Sequence, residues 1–208
     1  MLVCSQGAAF VKTSYFCSMG NLLIEFLSTF QNIPEADQAL IADAVEHRVY
    51  KEGDVLFTPG RICRELFFIC NGLIRIKIMQ ENGQEVLHSF IKENRFCSIL
   101  NSFVNQVVAK ESIEAACDLE VMVFNRDTLY DLYKKIPYLQ HLITQITSQA
   151  LMDKIALRNS YLGKDAETRY RAFIDEQSDI ATRVSMSDIA SYLGITPQSL
   201  SRIRKNLR

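Results

Sequence analysis

The chain has 208 residues, 48% of them hydrophobic and 23% charged, a composition that excludes a disordered chain. Its 23 basic and 24 acidic side chains exclude a uniformly basic coat for nucleic acid. No apolar run approaches the ~20 residues of a bilayer helix, and Lys12 follows the short stretch Ala8 to Val11, the wrong order for a secretory signal, so the chain is expected in the cytoplasm.

In chain order, residues 1–20 read as an N-terminal extension, and residues 21–126 as a domain with helical flanks and a β-rich centre. The pattern from Asn21 to about Tyr50 is helical, with Pro34 near a helix start and Leu40, Ile41, Ala44 and Val45 at helical spacing. Between Lys51 and Phe124 short apolar runs are broken by Gly, Pro and Asn. The pairs Asn71-Gly72 and Asn82-Gly83 lie between such runs and are hairpin signals. Strands at this spacing make a small barrel or roll. Residues 127–162 read as a short helix that stops before Pro137, then a long helix to Leu162. A heptad seam at 139, 143, 146, 150, 153 and 157 gives Leu139, Ile143, Ile146, Ala150, Asp153 and Leu157. Five of the six suit a dimer interface. A separate helical block fills residues 163–208, and the fold class is α+β.

The six cysteines, at 4, 17, 63, 70, 97 and 117, contain no Cys-x-x-Cys pair, so no metal site is expected. Cys70 and Cys117 sit in apolar runs as small hydrophobes. His47, His88 and His141 are isolated. No Ser/His/Asp or Cys/His constellation and no phosphate-cradling Gly loop is present, so the chain is not expected to be an enzyme.

The strongest chemical signal is the tail from Met186 to Ile203. Ala190 provides the small residue at a helix crossing, and Gly194 suits a tight turn that takes positive φ. Ser185 caps one helix, and Thr196 with Pro197 starts the next. Ile189, Leu193, Ile195, Leu200 and Ile203 would share the core of a helix-turn-helix. On a helical wheel Gln198, Ser201, Arg202 and Lys205 fall opposite Leu200, Ile203 and Leu207. Thr196 to Arg208 holds four of the 23 basic residues and no acid, leaving 19 basic against 24 acidic elsewhere. Such a face suits the major groove of DNA, where Gln pairs with adenine and Arg with guanine.

The order of these parts resembles the bacterial cyclic-AMP-receptor/fumarate-nitrate-regulator (CRP/FNR) family. The resemblance is carried by Lys51-Glu52-Gly53-Asp54-Val55-Leu56-Phe57-Thr58-Pro59-Gly60, by Leu66-Phe67-Phe68-Ile69-Cys70-Asn71-Gly72, by the long helix and by the terminal helix-turn-helix. It implies an N-terminal double-stranded β-roll (cupin-like) for effector sensing, a long dimerisation helix, a homodimer on a palindromic duplex, and a partnership with RNA polymerase. In that family a phosphate-binding cassette of the type Phe-x-Gly-Glu is followed by Arg-Ser/Thr-Ala. Here the first reads Phe96-Cys97-Ser98-Ile99 and the second Ala109-Lys110-Glu111-Ser112. Phe96, Cys97, Ser98, Ile99, Ala109, Lys110 and Ser112 are therefore candidates for an effector pocket that takes an unidentified small molecule other than a cyclic nucleotide, or for a roll that has lost sensing. Lys110 is a point charge and not a bidentate fork. Cys4 and Cys17 do not form the clustered set that the family's iron–sulfur branch needs.

The chain runs to Arg208 just past the second helix, so the domain is expected to lack a full wing. Phosphate anchoring then falls to Ser185, Thr196, Ser199, Arg204, Lys205 and Arg208. A competing reading is a cyclic-nucleotide-binding module whose C-terminal helices mediate protein contacts.

Overall fold

The computed structural model describes residues 22–207; the extension expected over residues 1–20, with Cys4 and Cys17, and Arg208 lie outside the described residues. Helices α1 (22–28) and α2 (Glu35–Asp43) precede eight strands: β1 (Val45–Tyr50), β2 (Val55–Phe57), β3 (Glu65–Asn71), β4 (Ile74–Met79), β5 (Glu85–Ile91), β6 (Phe96–Cys97), β7 (Glu111–Ala115) and β8 (Leu119–Asn125). A short α3 (Leu100–Asn105) joins β6 to β7. Then come α4 (Arg126–Lys135), α5 (Pro137–Tyr161), α6 (Ala166–Glu176), α7 (Ser178–Ala181), α8 (Met186–Leu193) and α9 (Pro197–Asn206).

The strands form two four-stranded antiparallel sheets, ordered β1–β8–β3–β6 and β2–β7–β4–β5. Side chains alternate across a strand, and here the alternation sorts one apolar run into two cores. Phe67 and Ile69 of β3, with Val121 and Val123 of β8, fill the interior of the roll. Leu66 and Phe68, with Met122 and Phe124, face outward into a second core closed by α1, α4 and the start of α5. Both faces of these strands are buried, which is why their sequences are apolar at nearly every position.

Only one of the two Asn-Gly signals closes a hairpin. Asn82 and Gly83 turn β4 into β5, with Gly83 at φ 79°. The hairpin expected at Asn71-Gly72 is not formed. β3 already lies between β8 and β6, so the chain crosses there to the other sheet. Gly72 stands at φ 98°, and a Cβ on it would collide with the carbonyl oxygen of Asp118.

The expected dimer seam also needs correction. Leu139, Ile143 and Ile146 are buried in the outer core of their own subunit, because the apolar outer face of β3 and β8 requires a cover and the first half of α5 supplies it. Ala150 and Leu157 are half-buried against the roll. The large apolar side chains that α5 leaves exposed are Leu151, Met152 and Ile155, followed by Leu162.

The C-terminal helices are less separate than their sequence suggests. Their core, built on Tyr170, Phe173, Ile180, Ile189, Ala190, Leu193 and Leu200, takes in Leu73 and Ala116 of the roll. Polar contacts reinforce the seating. Arg75 of β4 donates to Asp188 at 3.0 Å, the Leu87 N–H to the Ser191 hydroxyl at 2.9 Å, and Arg183 to Glu93 at 2.6 Å.

Candidate nucleic-acid interface and effector pocket

Local chemistry builds the two-helix unit. The Ser185 hydroxyl accepts the Asp188 N–H at 3.0 Å and starts α8. Ile189, Ala190 and Leu193 point into the core, and the small Ala190 side chain is wholly buried. Gly194 ends the helix in the left-handed region at φ 65°, ψ 38°, where a side chain would be strained. Thr196 then caps α9 by accepting the Ser199 N–H at 3.1 Å, with Pro197 in the first turn.

Leu200 is buried beneath α9, and Ile203 and Leu207 pack beside it. The opposite face carries Gln198, Ser201, Arg202 and Lys205, all exposed. These four base-edge candidates are thus brought onto one accessible surface. The phosphate-anchoring candidates are divided. Ser185 and Thr196 are exposed but spend their hydroxyls on helix caps, and the Ser199 hydroxyl accepts from that of Thr196 at 3.0 Å. Arg204 turns back against the Met186 sulfur of α8 and is half-buried. Lys205 extends freely near the helix C-terminus, where a cation suits the dipole.

The seven effector-pocket candidates do not gather around one space. Phe96, Cys97 and Ser98 line a cavity of about 310 Å³ between the roll, α5 and the C-terminal helices. Ile99 and Ala109 instead sit in the interior core, 7% and 5% exposed. They fill the region where the resemblance would place the cyclic phosphate. Lys110 is exposed, and its N–H donates to Glu111. Ser112 is buried beside Glu114, which also accepts from Lys77 and Arg75 at 2.8 and 2.9 Å. The guanidinium nearest Ser112, that of Arg75, is already paired with Glu114 and Asp188.

The reading of residue patterns missed Lys154, which the heptad placed outside the seam. It is Lys154, one turn beyond Ala150, that turns inward to donate to the buried Ser89 hydroxyl at 3.1 Å. Burial pushes its ammonium below the ordinary lysine value. The signal was a cation on the inner side of the helix, followed one turn later by Arg158.

This architecture, a β-roll joined by a long helix to a helix-turn-helix, has counterparts among known proteins. Residues 47–136 match the family model described as the cyclic nucleotide-binding domain. The chain is 28% identical over 204 residues to electron transport regulator A of Shewanella oneidensis, covering 90% of this chain and 77% of that protein. It is 26% identical over 204 residues, with the same coverage, to the fumarate and nitrate reduction regulatory protein of Yersinia pestis. Its fold is similar to that of the c-di-GMP-responsive global regulator CLP of Xanthomonas campestris, with a TM-score of 0.69 at 16% identity, covering 84% of this chain and 91% of the other. The chain thus contains a cyclic nucleotide-binding domain and is similar over nine-tenths of its length to both of these regulatory proteins.

Proposed function

We propose that this protein is a sequence-specific DNA-binding regulator that acts as a homodimer and responds to an effector other than a cyclic nucleotide. The observation that carries the reading is the set Gln198, Ser201, Arg202 and Lys205, exposed on one face of a helix whose other face is held by α8. The exposed Leu151, Met152 and Ile155 of α5 support pairing with a second copy, since such a stripe is poorly tolerated in water on a monomer. Two copies would present two reading helices to half-sites one helical turn apart, about 34 Å. Contact with RNA polymerase belongs to the same reading, as does the absence of catalysis. Within the described residues, no helix is long and apolar enough to cross a membrane.

Selection of bound sites from a random duplex library tests the reading. It should enrich a palindrome, and an unenriched pool would overturn it. The burial of Ile99 and Ala109 supports the exclusion of cyclic nucleotides. Cyclic AMP and cyclic GMP should leave the melting temperature unchanged; a rise of several degrees with either would restore the cassette.

A further inference from the structure

A second cavity, of about 340 Å³, lies on the other side of Lys154. Its walls include His88 of β5, Lys154 and Arg158 of α5, and Arg169 of α6, with Tyr161 and Tyr192 between them. Lys154 and Arg158 depress the basicity of His88 beyond the larger effect of its burial, and Arg158 acts on Lys154 in the same sense. Glu111 of β7 partly offsets this field at both His88 and Lys154. Among the described residues, Lys154, Arg158 and Arg169 form no ion pair with a carboxylate. The Arg169 Nε is buried with no hydrogen-bond partner.

Cations gathered in a partly buried space with no carboxylate in ion-pair contact, Glu111 and Asp165 acting only from farther off, repel one another, and an unpartnered buried N–H is costly. Both penalties are relieved by one kind of occupant. We propose that this junction cavity binds a small polyanion, a phosphorylated or polycarboxylate metabolite, held by Lys154, Arg158 and Arg169. Two guanidinium forks supply paired donors and the ammonium a point charge, and hydrogen bonds of this charged kind are the strong ones. The occupant would touch the roll, the long helix and the DNA-reading domain at once. It is thereby the effector that the proposed regulatory function requires, and its regulatory meaning rests on that function.

Titration calorimetry on the full chain, in phosphate-free buffer and without DNA, tests the site with pyrophosphate, ADP and citrate as probes. Saturable binding of at least one probe is expected, and the probe that binds separates the phosphate from the carboxylate source. Arg158→Gln and Arg169→Gln should each weaken that binding tenfold or more, whereas Lys135→Gln, which removes an exposed charge from α4, should not. Arg158 is itself exposed, so its variant keeps the fold even where Arg169→Gln does not, and circular dichroism checks both. Absence of saturable binding by all three probes, or undiminished binding in Arg158→Gln, would overturn the site. Because binding is read without DNA, that failure leaves duplex recognition standing. A protein that takes up the polyanion but selects no duplex defeats the regulator reading alone.

Discussion

At the scale of single residues, the face of α9 separates reading from anchoring. Arg202 is exposed on the surface proposed to meet base edges, so Arg202→Ala should blunt preference at one base position, at about 1–3 kcal/mol of discrimination. Lys205 is proposed to meet a phosphate, and Lys205→Ala should weaken all duplexes alike, lowering the slope of log K against log salt by about one. Competition binding at several salt concentrations separates the two outcomes. The Thr196 cap belongs to the same helix, and Thr196→Ala should cost about 1 kcal/mol, read as a lower urea midpoint. Glu114 makes a pH prediction. Burial pushes its carboxyl up, but hydrogen bonds from Lys77 and Arg75 more than reverse this and hold it below its ordinary 4.5. A depressed folded value contributes stability that is complete above the ordinary value and lost as pH falls through the folded one. The stability advantage of the native chain over Glu114→Gln should therefore be constant near neutrality and shrink below about pH 4.5, as urea midpoints between pH 6 and pH 3 would record.

At the scale of elements, α5 has two halves with different duties. Its first half is core, and Leu139→Ala should destabilise the fold by about 2–5 kcal/mol. Its second half packs one side against the roll and leaves Leu151, Met152 and Ile155 exposed, and Ile155→Glu should leave the fold intact while converting the proposed dimer to monomers in sedimentation. The heptad pattern predicted a buried stripe along this helix, but periodicity carries no label for what does the burying. The outer sheet face claimed Leu139, Ile143 and Ile146, and the free stripe at Leu151 and Ile155 lies off the seam. The Asn-Gly signals show the same limit. Asn71-Gly72 and Asn82-Gly83 both specify a tight reversal, yet only the sheet order decides that one is a crossover. The two-helix unit was legible almost residue by residue because its determinants, Ser185, Gly194, Thr196 and Pro197, act within one turn of where they stand.

At the scale of the molecule, the contacts that seat the C-terminal helices were invisible in the sequence. Arg75 and Asp188 are 113 positions apart, and Leu87 and Ser191 are 104. The junction cavity was hidden for a like reason, since it sets cations of α5 and α6 against the distant β5. If these bridges hold the seating, combining Asp188→Asn with Arg183→Gln should raise the radius of gyration in solution scattering while circular dichroism stays constant. The anchoring of α5 has a mechanical corollary. Where the outer core releases the helix, after Ile146, it acquires a fulcrum. The stretch from there to Tyr161, at ~1.5 Å per residue, makes a lever of about 22 Å, so a ~10° tilt swings its tip by ~4 Å. A sub-ångström rearrangement near the pivot would thus be magnified at the grip on the double helix.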